Sequence, residues 1–369
     1  MKTNSVRWVA QSGFSLVELM VALVIGMLTT LVIMQTFAAY EGQKRTTSGS
    51  SDAQTNGALA LYSIERELMM AGYGLPLFST KNSPMKCDPT TFTVDHDGLP
   101  TTPAIGFEPI QIADGGSNGE SDTVTIRYAS SAVALANGGV PMNIGGISAT
   151  DITVDVALGC NDEDVAMLIN GSACAMTLID GAPTPIVGPP KKDKIKLVSA
   201  TNAVVGGTLA CLGRWSEVSY RVGHQDNRYW LETVDSRSTT FPSAQPRQSE
   251  IVNIQAQYGI STIAKNFEVS EWVDAVDPWD APTLSNRNRI KAVRIAVVAR
   301  SALAEKDKVT TACSSQFCAE WEDPVRPGLT RNSPPMKVAI PGADWENYRY
   351  RTYQTIVPLR NLIWASPSL

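Results

Sequence analysis

From Leu19 to Ala39 the chain carries no charged side chain. The run matches the roughly 20 apolar residues that cross a bilayer as a helix, and the basic Lys2 and Arg7 before it favour a cytoplasmic N-terminus. The body of the chain is then expected on the far side of the membrane. Glu18 stands at the start of this segment, where an unpaired carboxylate is costly to bury. Anchoring alone gives it no role, so a cationic partner is expected.

Beyond Tyr40 the pattern changes twice. Glu41 to Asn56 is hydrophilic, with Gly42, Gly49 and Gly57 and a Ser/Thr cluster that lower helical propensity, so a bend or partly melted section is expected there. Leu61, Ile64, Leu68 and Ala71 then recur at helical spacing on one face, and Gly72 supplies a stop. After Gly74 the period becomes two. Val124, Ile126 and Tyr128 alternate with polar neighbours, as do Ile152, Val154, Val156 and Leu158. Further strands are expected at Lys194–Val198, Glu217–Val222, Tyr229–Val234, Ile290–Ala299 and Arg349–Val357, separated by glycine-rich turns. The fold class is α+β: a long N-terminal helix, its first half membrane-spanning, packed on an elongated, mainly antiparallel β head. The expected divisions are 1–13, 14–40 for the membrane helix, 41–74 for the second, periplasmic half of the helix with its break, and 75–369 for the head.

Composition narrows the function. A hydrophobic content of 43% with 18% charged residues describes a folded chain, and a net charge of −5 argues against nucleic acid as a partner. Arg287-Asn288-Arg289-Ile290-Lys291 is basic, but reads as a solvated strand start more readily than as a site for an acidic partner. Cys87, Cys160, Cys174, Cys211, Cys313 and Cys318 all follow the apolar run, in the compartment where disulfides persist. Six cysteines allow 15 connectivities. Local pairs Cys160–Cys174 and Cys313–Cys318 would close short loops and leave Cys87 for Cys211. Zinc is disfavoured, since no paired CxxC is present and His96 and His224 are the only histidines.

Catalytic motifs are missing as well. There is no phosphate-binding Walker motif, no G-x-S-x-G elbow and no H-E-x-x-H. The chain reads as a non-enzyme without a cofactor. Two acidic loops, Asp114/Asn118/Glu120/Asp122 and Asn161/Asp162/Glu163/Asp164, offer oxygen ligands for calcium, but neither has EF-hand spacing. Turn-forming and strand-start roles are expected, with no metal.

The segment Gly13-Phe14-Ser15-Leu16-Val17-Glu18, behind a basic leader and ahead of an apolar helix, resembles the class III signal of type IV pilins and type II secretion pseudopilins. That resemblance implies cleavage after Gly13 by prepilin peptidase, N-methylation of Phe14, and pairing of Glu18 with the Phe14 amine of a neighbouring subunit. Three further segments, Ile64–Gly74, Ile290–Arg300 and Tyr348–Asn361, resemble the PilW family of minor pilins. The family implies a low-copy subunit that joins other minor pilins and the major pilin, initiates pilus assembly, sits at or near the tip and supports a larger tip adhesin. It would reside in the inner membrane with a periplasmic head before assembly and in the cell-surface pilus afterwards. Rival readings are a secretion pseudopilin of the GspJ class and a tip subunit that is itself an adhesin.

Overall fold

The computed structural model describes residues 13, 15–75, 86–87, 93–95, 108–130, 142–157, 159–226, 228–235, 244–313, 316–317, 319–321 and 336–363. A single helix, Leu16–Leu68, runs from the apolar segment into the head. The break expected between Glu41 and Asn56 is absent. Gly49 and Gly57 fall with Ala53, Ala60, Ile64 and Leu68 on one buried stripe, so the glycines admit close approach rather than melting the helix. A Cβ on Gly57 would lie 2.5 Å from ring carbons of Tyr353 and 3.1 Å from Cβ of Ala299. Tertiary packing here outweighs the roughly 1 kcal/mol that a mid-helix glycine loses to alanine. Past the C-cap Met69, Gly72 adopts φ of 76° and ends the helix, and its N–H donates to the carbonyl of Arg127.

Three large sheets follow. A four-stranded sheet has the order Glu271–Val273, Ile251–Ile260, Ile290–Arg300, Tyr350–Pro358, with all neighbours antiparallel. A five-stranded antiparallel sheet runs Gln245–Ser249, Arg228–Asp235, Trp215–Gln225, Thr123–Ala129, Ile110–Ala113. The helix stripe packs with the inner faces of these two sheets in one core that includes Ile126, Leu231, Ile254, Val293 and Val357. The opposite face of the four-stranded sheet carries a second cluster, in which Val252, Ala296 and Val298 meet Met336 and Val338. Ile290–Arg300 is thus buried along its whole length, not on alternate residues as its sequence pattern led us to expect.

The third sheet has eight strands, ordered Thr93–Asp95, Ala173–Leu178, Val165–Asn170, Thr208–Gly213, Met142–Ser148, Asp151–Val154, Lys192–Lys196, Thr184–Ile186. Its middle strands are apolar on both faces. Met167, Ile169, Cys174 and Leu212 enter one cluster, while Ala166, Leu168, Leu209 and Cys211 enter another. This alternation decides the disulfides. Cys174 joins Cys87 on one face and Cys211 joins Cys160 on the other. The local pair Cys160–Cys174 and its remainder Cys87–Cys211 are therefore both wrong, because each would have to connect opposite faces of one sheet. The expected Cys313–Cys318 link lies outside the described residues.

Candidate functional site

The helix has two surfaces of opposite character. Ser15 is its N-cap in extended conformation, the N–H of Leu19 donates to the Ser15 carbonyl at 3.1 Å, and Glu18 lies in the first turn. A carboxylate there is favoured by the positive end of the helix dipole. Glu18 and every residue from Leu16 to Phe37 are exposed on this chain, including Leu19, Val24, Ile25, Leu31, Ile33 and Phe37. The threonine hydroxyls within the segment are internally satisfied. Thr29 and Thr30 donate to the carbonyls of Ile25 and Gly26 at 2.7 and 2.8 Å, and Thr36 to that of Ile33 at 2.9 Å. Such back-bonding hides hydroxyls from hydrocarbon. Among the described residues one helix, Leu16–Leu68, is long and apolar enough to cross a membrane. Of the expected processing pair, Gly13 is exposed immediately before the helix, while Phe14 lies outside the described residues.

Where the bare segment meets the head, a clamp that the sequence did not reveal holds the helix. Glu305 Oε1 accepts from Thr46 Oγ1 at 3.3 Å and from Nε of Arg349 at 2.5 Å, and its Oε2 accepts from Arg349 Nη2 at 3.4 Å. The strand that begins at Tyr350 then runs beside the helix in the same direction. Tyr353 meets Gly57, and Asn361 Nδ2 donates to the carbonyls of Met69 and Ala71 at 3.3 and 3.1 Å.

Charges elsewhere in the head serve architecture. Arg127 pairs with Glu217 at 2.9 Å, Arg300 with Glu250 at 2.8 Å and Arg287 with Glu108 at 3.0 Å, all buried. The Arg287–Lys291 cluster is accordingly not a solvated strand start. Arg289 lies over the Trp279 ring and Lys291 donates to the carbonyls of Ala264 and Asn288. Burial pushes the Lys291 ammonium below the usual lysine range. Arg294 is sandwiched by Trp272 and Trp321, and Arg300 by Tyr229 and Tyr348.

The acidic loops turn out to be backbone acceptors. Asp122 is buried and receives the N–H groups of Gly115 and Ala256 at 2.9 and 2.7 Å, tying the five-stranded sheet to the four-stranded one. Burial pushes its carboxyl up to about 7, against the opposing pull of those two donors. Asp114 accepts from Gly116, Asn118 donates to Glu120, Asp164 accepts from Asn161, and Asp162 accepts from Gly181. Glu163 sits at the positive φ of 63° in the second loop. Among the described residues no cluster of three or more His, Cys, Asp or Glu could hold a metal ion.

Two family profiles match the chain. The prokaryotic N-terminal methylation motif matches residues 8–34, spanning Gly13, Phe14 and Glu18. The profile described as Type IV Pilus-assembly protein W matches residues 220–361, which include the buried strands Ile251–Ile260 and Ile290–Arg300 and the strand that follows the helix. Over residues 220–361 the chain is similar to the PilW family. Together the two matches support a type IV pilus minor pilin, and the N-terminal motif with its apolar helix supports membrane anchoring. No curated protein matches it. Among solved structures, a type IV-like pilin from Thermus thermophilus is similar at 11% identity, covering 84% of this chain and 97% of its own, with a TM-score of 0.33. The PilW match falls on the part of the head that packs with the helix and stops short of the eight-stranded sheet, whose strands end at Gly213.

Proposed function

We propose that this minor pilin takes part in initiating pilus assembly and sits at or near the pilus tip, bound to other minor pilins and to the major pilin. The observation that carries the reading is the bare first half of the helix with one carboxylate at its head. Membrane lipid covers the apolar residues before assembly and neighbouring pilin helices cover them afterwards. Prepilin peptidase cuts after Gly13, and Glu18 then pairs with the N-methylated Phe14 amine of a neighbour, satisfying a charge that lipid cannot. A large three-sheet head would crowd a shaft if repeated at every position, which favours a low-copy place near the end and a supporting role beneath a tip adhesin. A secretion pseudopilin shares the N-terminal segment, but the matched head is of the pilus-assembly kind.

Two measurements test this. Mass spectrometry of the mature chain is expected to find an N-methylated Phe14 terminus; an intact Met1 would overturn the processing step. Glu18→Ala should leave insertion and cleavage intact, since the helix only becomes more apolar, while fewer pili form and less of the variant crosslinks to other pilins. Wild-type crosslinking and piliation would remove the charge-pairing mechanism.

A further inference from the structure

The uncharged run of the helix ends at Ala39, and a loop of the head meets the helix at that level. Leu16 to Phe37 spans about 33 Å at 1.5 Å per residue, close to the roughly 30 Å of bilayer hydrocarbon. Phe37 therefore stands where hydrocarbon gives way to lipid headgroups. Tyr40, about a turn further on, is exposed, as aromatic residues at that boundary commonly are.

A groove of about 530 Å³ lies between loop and helix, walled by Phe37 and Ala38 on one side and by Leu303, Ala304, Lys306 and Asp307 on the other. That volume suits a small molecule or a headgroup. The loop is tied down on both sides of its apolar tip. Ser301 N–H donates to the Arg349 carbonyl at 2.8 Å and Ser301 Oγ to that of Leu303 at 3.1 Å. Glu305 N–H donates to the Asn347 carbonyl at 2.7 Å, while the Glu305 carboxylate holds Thr46 and Arg349. Between these two pins Ala302, Leu303 and Ala304 are all exposed. Lys306 and Asp307 follow, also exposed, and neither side chain has an ion pair or hydrogen bond among the described residues. Their neighbours Glu305 and Lys308 are taken, by Arg349 and Glu346.

We propose that this groove holds a phospholipid with a primary-ammonium headgroup, its phosphate on Lys306, its ammonium on Asp307 and an acyl chain along Phe37, Ala38 and Leu303. The lipid assignment rests on the membrane-anchoring reading of the helix; the groove and its two unpaired charges do not. An anionic headgroup would satisfy Lys306 and leave Asp307 facing a like charge, and the chain's net charge of −5 gives no general attraction to an anionic surface. An apolar helix from a neighbouring pilin would cover Phe37 and Leu303 but leave both charges unmatched. The lipid fastens the head to the membrane at a second point, and it has to leave before a neighbour's helix can pack against Phe37.

The test places a photo-crosslinking amino acid at position 303 or, separately, at position 27 of the full-length chain in vesicles of equal phosphatidylethanolamine and phosphatidylglycerol. Adducts are identified by mass spectrometry. Position 27, in the bare run, is expected to label both lipids alike. Position 303 should label phosphatidylethanolamine about threefold over phosphatidylglycerol, the discrimination that an exposed charge pair supplies. Lys306→Glu should cut the total 303 adduct about threefold and Asp307→Lys should abolish the headgroup preference. Neither variant should move the melting temperature, since neither side chain has a partner in the fold. In intact cells position 303 should give the same lipid adduct. Lipid at 27 but none at 303, equal labelling of the two headgroups at 303, adducts insensitive to both variants, or a 303 adduct in cells that joins another pilin instead of lipid would each overturn the proposal and leave the membrane reading standing. No lipid adduct at position 27 removes the membrane reading itself, and the proposal with it.

Discussion

The two halves of the Leu16–Leu68 helix obey opposite rules. In the first, large apolar side chains are exposed; a Cβ on Gly26 would find no atom within 4 Å. In the second, the buried stripe begins with Gly49, Ala53, Gly57 and Ala60, the smallest residues available, because strands of the head press directly against it. Hydrophobicity alone therefore does not say where a helix is buried. The first half is apolar because its solvent is lipid or other helices, the second is small because its solvent is its own sheet.

The largest effect expected from breaking this contrast is at Gly57. Gly57→Leu drives a side chain into Tyr353 and Ala299 and should destabilise the head by about 3 kcal/mol. Gly26→Leu should leave the head's melting temperature unchanged. Thermal unfolding of the two detergent-solubilised variants checks both; equal melting temperatures would mean that the inner half is not held by close packing.

Reduction of the disulfides should come next. Cys87–Cys174 and Cys160–Cys211 close intervals of 87 and 51 residues and staple the two faces of the eight-stranded sheet. Losing either should cost about 2 kcal/mol. Peptide mapping of the unreduced chain would separate this pairing from the local one, because a Cys160–Cys174 peptide is incompatible with the sheet. The exposed first half of the helix should not respond to reduction.

Much of this was legible in advance, and the failures share a cause. The membrane segment, the stripe Ile64–Leu68–Ala71 and strands such as Thr123–Ala129 follow from periodicity, since each has one solvent on each face. Val165–Asn170, Ala173–Leu178 and Thr208–Gly213 went unseen because both their faces are buried and no alternation marks them. Missing those strands also hid which cysteines share a face. The helix was misread at Gly49 and Gly57 because a local propensity cannot report a sheet that arrives some 300 residues later. The Glu305–Arg349 clamp depends on strand order, which no local pattern carries. At the N-terminus, by contrast, Gly13, Phe14 and Glu18 stand out in sequence alone, since their proposed work involves other molecules and little of this chain's own packing.

The smallest effect concerns Asp122, where the two sheets around the inner half of the helix are joined. Its carboxyl sits at about 7 in the folded chain against an ordinary value of 3.8, so the folded state holds the proton more tightly than the unfolded one. Its contribution is thus fully present below about pH 4 and is lost as pH rises toward 7, after which the charged form is buried at a constant penalty. Two backbone donors soften that penalty, and the buried Glu108, whose carboxyl burial also raises, adds to the slope in the same direction. Asp122→Asn cannot ionise. Between pH 4 and pH 8 the variant should therefore lose less stability than the wild type, although at low pH it starts lower because its amide faces one of the two N–H groups with a donor. Denaturant unfolding across that range reads the difference of slopes; parallel slopes would mean that Asp122 stays ionised in the fold and that its backbone donors outweigh its burial.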